Sequence, residues 1–148
     1  MKISTKVECG IIALIDIAIH SHDENVIKIN SISKRNNISA KYLEQIFPLL
    51  KQSRILKSVK GASGGYILAR SSSDITLNEI VNALDNSILA SSTFSDKLES
   101  SVITAIEECL WKPVTDYFCK FSENLTLKVL ADRYSELSSS ETEPMYYI

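Results

Sequence analysis

The segment Lys57-Ser58-Val59-Lys60-Gly61-Ala62-Ser63-Gly64-Gly65-Tyr66-Ile67-Leu68 constrains the fold more than any other: a short strand, a glycine-rich basic tip, and a second strand. Three of the chain's four glycines fall between positions 61 and 65. Glycine takes positive φ without steric cost, so the cluster predicts a tight hairpin tip. Just before it, Ser39-Ala40-Lys41-Tyr42-Leu43-Glu44-Gln45-Ile46 reads as a capped amphipathic helix. A helix followed by a basic hairpin is the layout of a winged helix-turn-helix. There the helix enters the major groove of DNA and the hairpin meets the backbone or minor groove. A phosphate-cradling loop is the alternative. It fits less well, because no Gly-Lys-Ser/Thr follows and the tip leads into a strand rather than a helix.

The formal charge of −2 conceals a division between the two halves of the chain. Residues 1–70 hold 11 Lys/Arg against 5 Asp/Glu, and residues 71–148 hold 5 against 13. The positive field therefore lies where the helix and hairpin lie, as nucleic-acid binding requires. At 148 residues the chain is one domain, or one domain plus an appended helix. No apolar run approaches the roughly 18 residues of a membrane span, and Met1 to Lys6 lacks a secretory pattern, so a cytoplasmic protein without membrane contact is expected. Cys9, Cys109 and Cys119 are odd in number and widely spread, which argues against a disulfide framework.

Along the chain, Thr5 with Glu8 three residues on reads as a capping box, and Val7, Ile11, Leu14, Ile15 and Ala18 recur at helical spacing. His20 and His22 come at the end of that helix, and with no Cys or carboxylate pair at ligand spacing no metal site is expected. Val26 to Ile29 resembles a short strand. Asn30 or Ser31 is placed to cap a helix from Ile32 to Asn36, and Asn36-Asn37 signals a turn, since Asn tolerates the left-handed region. Ser39 caps the next helix, whose Leu43, Ile46, Phe47 and Leu50 form a buried stripe interrupted by Pro48. Thr76 with Glu79 is a second capping box.

Asp85 to Ser101, rich in Ser, Asn and Asp, reads as a connector. From about Glu99 a long helical pattern carries Ile103, Ile106, Leu110, Val114, Tyr117 and Phe121, with a kink expected at Pro113. So apolar a helix at the end of a small domain needs a cover for its second face, and a two-fold homodimer supplies one. Thr126 caps a last helix with Leu127, Leu130, Ala131 and Tyr134 inward. Ser138 to Thr142 then reads as a polar tether to the apolar end Met145-Tyr146-Tyr147-Ile148. The expected division is 1–85 for DNA binding, 86–98 connector, 99–137 dimerisation and C-terminal helices, and 138–148 tail. The fold class is mainly α with a small β-hairpin wing.

Met1 to Lys6, Ile38 to Phe47, Val59 to Tyr66, Leu110-Trp111 and Leu125-Thr126-Leu127 together resemble the Rrf2 family of bacterial transcription regulators. The pairing of Tyr42-Leu43-Glu44-Gln45 with Gly64-Gly65-Tyr66 is the specific part. The sequence departs from the family pattern at Val7-Glu8-Cys9 and at Pro48. The resemblance implies a dimeric winged helix-turn-helix repressor bound to a double-stranded operator. Base reading falls to Lys41, Tyr42, Glu44 and Gln45. Lys60 and the Gly64-Gly65 backbone serve the wing, and Lys2, Ser4, Lys34 and Lys57 contact phosphates. Some members hold a [2Fe–2S] cluster through three cysteines ahead of the Leu-Trp pair. Residues 86–108 here contain none, so no iron–sulfur cofactor is expected.

The terminus resembles that of the cluster-free branch acting on cysteine metabolism. It implies docking of Tyr147 and Ile148 into the active site of cysteine synthase (O-acetylserine thiol-lyase). A tail folded on its own dimer is the alternative. A thiol-based redox regulator using Cys9 or Cys109, or an interaction module with weak DNA binding, also remains open. An enzyme is not expected, since no nucleophile–base pair is visible.

Overall fold

The computed structural model describes residues 3–22, 25–88 and 100–142. Helix α1 spans Thr5–His20, α2 Ile29–Asn36 and α3 Ala40–Gln52. Strands β1 (Leu56–Val59) and β2 (Gly65–Leu68) form an antiparallel hairpin, with Leu56 opposite Leu68 and Val59 opposite Gly65. Helix α4 (Leu77–Leu84) follows, then α5 (Ser101–Ile106), a π-helical turn at Glu107–Trp111, α6 (Lys112–Asn124) and α7 (Leu127–Thr142). The fold is mainly helical, with one small hairpin and a long C-terminal helical run.

The apolar periodicities converge on one core. Val7, Leu14 and Ile17 of α1 meet Ile32 of α2, and Leu43, Ile46, Phe47 and Leu50 of α3 complete the layer. Ile75, Ile80 and Leu84 close it from α4 and its approach, with Leu127 arriving from α7. The Phe47 ring stands edge-on to Tyr66, centroids 4.7 Å apart, which locks the hairpin to α3. Pro48 lies on the exposed side of α3, and the helix runs unbroken past it.

One charged group enters this core. The buried Asp16 carboxylate accepts from Arg35 Nε at 2.9 Å and Nη2 at 2.6 Å, and from Asn36 Nδ2 at 2.7 Å. Burial pushes this carboxyl up, but the Arg35 and Asn36 hydrogen bonds and the Arg35 charge outweigh that and hold it below its ordinary value. The cluster ties α1 to α2, so the first helix of the helix-turn-helix is fixed by a fork as well as by packing.

Several local expectations change. Ser4, not Thr5, is the N-cap of α1, and no side-chain cap bond forms there. Helix α2 begins at Ile29 with Lys28 as N-cap, one turn earlier than the Asn30 or Ser31 signal. The strand expected at Val26 to Ile29 contracts to one bridging residue, Ile27, which exchanges backbone bonds of 2.9 and 2.8 Å with Tyr66. Tyr134 is about half exposed instead of inward. The serines read as a tether are helical, because α7 continues to Thr142 and the Ser138, Ser139 and Ser140 hydroxyls donate back to Tyr134, Ser135 and Leu137 carbonyls. Of the connector expected at 86–98, Asn86–Ile88 is a 3-10 turn and the rest lies outside the described residues.

Pro113 widens the helix ahead of itself. It has no N–H to give the Cys109 carbonyl, and its ring crowds that oxygen. The preceding turn is π-helical, with Lys112 N–H donating to the Glu107 carbonyl five residues back. Helices α5 and α6 thus form one run, roughly 36 Å long at 1.5 Å per residue. Its apolar stripe is uncovered: Val102 is 64 % exposed, Tyr117 77 % and Phe121 53 %, with Ile106, Leu110 and Val114 similar. Ile103 is partly covered. The base of α7 is stitched to the N-terminal unit by Leu77 N–H to Leu125 O and Leu127 N–H to Ile75 O, both 2.8 Å.

Candidate nucleic-acid interface

Two helix ends build the helix-turn-helix. Asn37, at φ 53°, closes α2 in the left-handed region, and Ile38 N–H reaches back to the Ser33 carbonyl. Ser39 then opens α3, its hydroxyl accepting from Tyr42 N–H. With the stripe from Leu43 to Leu50 buried, Lys41, Glu44 and Gln45 are exposed on the opposite face and Tyr42 is half-buried at its edge. Lys and Gln donate to base edges, and Glu accepts from cytosine N4. Lys34, Lys57 and Lys60 are exposed too.

The glycine cluster works differently from its sequence reading. Only Gly61 uses positive φ, at 112°. Gly65 is small because a Cβ there would sit 2.7 Å from the Ile27 carbonyl, where the bridging residue crosses β2. Gly64 is hemmed in by the Val59 and Gly61 carbonyls, and its N–H donates to Gly61 O at 2.9 Å. Gly64 and Gly65 therefore build the wing through close approach. Lys28 Nζ reaches the Ala62 carbonyl at 3.4 Å, bringing a further cation to the tip that sequence periodicity did not single out.

Among the expected phosphate contacts, Ser4 has its hydroxyl oxygen enclosed in the fold, not presented outward. Lys2, Tyr147 and Ile148 lie outside the described residues. The wing root is braced from the far side. Arg70 donates to Glu79 Oε1 at 2.6 Å and to the Asp74 carbonyl, while Glu79 completes the capping box with Thr76. Burial raises the Glu79 carboxyl, and the Arg70 and Thr76 hydrogen bonds more than reverse that.

The cysteines do not form a metal-binding set. Cys9 lies on α1, and burial followed by the Glu8 charge pushes its thiol up, away from reactive thiolate. Cys109 and Cys119 are separated by about 15 Å of helical rise. Among the described residues no group of three His, Cys, Asp or Glu side chains could hold a metal ion. These residues do not fit an iron–sulfur cluster. No described helix is long and apolar enough to cross a membrane.

The profile of the Rrf2 family, described as "Iron-dependent Transcriptional regulator", matches residues 3–133. A similar curated protein is the HTH-type transcriptional regulator IscR of Pectobacterium carotovorum subsp. carotovorum, 29 % identical over 143 residues, covering 97 % of this chain and 87 % of the relative. Among solved structures, CymR (YrzC), the global cysteine regulator of B. subtilis, superposes with a TM-score of 0.76 at 32 % identity, over 90 % of this chain and 98 % of that one. IscR of T. potens gives 0.72 at 32 % identity, over 99 % and 97 %. Helix-turn-helix, wing and long helical run agree with that match, and the chain belongs to the Rrf2 family of DNA-binding transcriptional regulators.

Proposed function

We propose that the chain is a homodimeric repressor in which α3 reads bases in the major groove and the wing contacts the flanking backbone or minor groove. What supports this most is the outward face of α3, where Lys41, Glu44 and Gln45 stand exposed over a fully buried apolar stripe. Base readout belongs to those three and Tyr42; Lys60 and Lys57 supply charge at the wing, with Lys34 and Lys2 at phosphates. Ile103, Ile106, Leu110, Val114, Tyr117 and Phe121 pair with the same stripe of a second copy. The proposed units are 1–85, 86–98, 99–137 and 138–148, with α7 carrying the third into the fourth. Duplexes selected from random sequence and titrated by fluorescence anisotropy test the reading. Gln45→Ala should cost about 1–3 kcal/mol and relax one base position, whereas Lys60→Ala should weaken all duplexes and lower the salt slope by about 1. Equal binding of selected and random DNA by the unmodified chain would contradict it.

The regulated process is cysteine and sulfur metabolism, with cysteine synthase as co-regulator. The likeness to a structure described as the global cysteine regulator supports this, as does the apolar, aromatic segment Met145-Tyr146-Tyr147-Ile148. Tyr147 and Ile148 bring an aromatic and an aliphatic side chain, of the kind a pocket for an amino acid recognises. Deleting Tyr147 and Ile148 should abolish calorimetric binding to purified cysteine synthase while sparing DNA binding, and O-acetylserine should compete. Unchanged binding after the deletion, or none before it, would sink the co-regulator reading alone.

A further inference from the structure

Only two non-glycine residues with positive φ occur among the described residues, Asn37 at 53° and Arg54 at 57°. Both end a helix of the helix-turn-helix. At the end of α3, Ile55 N–H donates to the Leu50 carbonyl at 2.9 Å and Arg54 N–H to the Lys51 carbonyl at 3.0 Å. Leu50 and Ile55 are fully buried against each other's layer, completing a Schellman closure. The position between them needs a left-handed backbone, which glycine takes freely and Asn tolerates, as Asn37 does at α2. Arginine is neither. Its side chain is exposed and makes no hydrogen bond or ion pair among the described residues, so the closure gains nothing from it.

The surroundings give that side chain a role. Arg54 lines an open concavity of about 570 Å³ at the junction of α3 and the wing, together with Lys51, Lys57, Ser58 and Arg70. Arg70 is spent on Glu79 and the Asp74 carbonyl. Lys51, Arg54 and Lys57 face no carboxylate partner among the described residues. Lys51 lies on the same exposed side of α3 as Lys41 and Glu44, and Lys57 lies on β1. A duplex that lays its major groove on α3 and its flank on the wing must carry its backbone across this junction.

We propose that Arg54 is a DNA-phosphate anchor, held on a strained left-handed stub between α3 and the wing, with Lys51 and Lys57 completing the phosphate site. The guanidinium fork matches a phosphodiester, and its fixed backbone limits the freedom lost on binding. The inference rests on the DNA-binding reading above and adds a contact that no groove-facing pattern reveals.

The discriminating variants are Arg54→Gly and Arg54→Lys in the full chain, measured by thermal melting and by anisotropy titration of a selected duplex over a salt series. Arg54→Gly should melt at the same temperature or higher, because glycine suits the backbone. It should nevertheless bind selected and random duplexes alike about 5–10-fold more weakly per half-site near 0.1 M salt, with the salt slope reduced by about 1 per protomer. Arg54→Lys should keep the slope. Unchanged affinity and slope in Arg54→Gly, with Gln45→Ala still impaired, would overturn the anchor and leave the DNA reading standing. Failure of the unmodified chain to bind DNA would overturn both. Inorganic phosphate, titrated by calorimetry, distinguishes a free-anion site: millimolar binding lost in Arg54→Gly while DNA binding stays intact would overturn the backbone assignment.

Discussion

The described residues up to position 88 bury most of their apolar side chains in one core, with Ile12 and Val59 the large exceptions, while the run from α5 through α6 leaves its apolar stripe in water. Leu14, Phe47 and Ile80 have no exposed surface, yet Tyr117 and Phe121 are mostly or half open. Both regions are written with the same spacing of three and four. Periodicity thus states that a face must be covered, and not by what. Charge separates them too: the first 70 residues carry six more cations than anions, and the remainder eight more anions than cations. A polyanion is drawn to the first region and repelled by the second, so charge alone steers a duplex away from the stripe proposed to pair with a second copy.

Phe47→Ala removes the ring that joins α3 to Tyr66 and should cost about 3–5 kcal/mol in urea unfolding. Tyr117→Ala, introduced into a monomeric variant, should change stability by less than about 0.5 kcal/mol, since its ring touches mostly solvent. Comparable losses at the two positions would erase the distinction between self-covered and uncovered faces.

Asp16 offers a smaller effect with a pH signature. Its folded carboxyl lies below its unfolded value, so its contribution to stability is present above roughly pH 4 and fades as pH falls through the lower folded value. Asp16→Asn should therefore be less stable by about 2 kcal/mol at pH 7, with the deficit shrinking in acid. Melting curves between pH 2.5 and 7 check this; a deficit constant with pH would show that the Arg35 fork is not its source.

Much of the first region was legible because its signals are local. The stripe Leu43, Ile46, Phe47 and Leu50 is buried as its spacing predicts, Asn37 takes the left-handed turn, and Thr76 with Glu79 forms its capping box. What escaped was non-local or sterically ambiguous. Gly65 is set by Ile27, a residue far upstream, and the Asp16–Arg35 fork joins positions 19 apart. Thr5-Glu8 has the capping-box pattern, but helix α1 takes Ser4 as its cap, one position earlier. Tyr134 keeps the inward period, yet α7 covers only its base fully, at Leu127 and Ala131. Arg54 gave no turn signal at all, because arginine is not a residue that announces positive φ. The long α5–α6 run was legible as a face needing cover, although the π-turn ahead of Pro113 was not.

Sedimentation velocity on the chain with a selected duplex, run beside Leu110→Asp, reads whether the α5–α6 stripe brings two chains to one duplex. The account predicts two chains per duplex for the unmodified protein. It predicts a folded monomer for Leu110→Asp, because an unpaired charge in that stripe costs several kcal/mol of association while leaving the N-terminal core untouched. That monomer should bind the duplex far more weakly, one half-site at a time. A Leu110→Asp protein that remains dimeric, or an unmodified chain that binds the full site as a monomer at undiminished affinity, would contradict it.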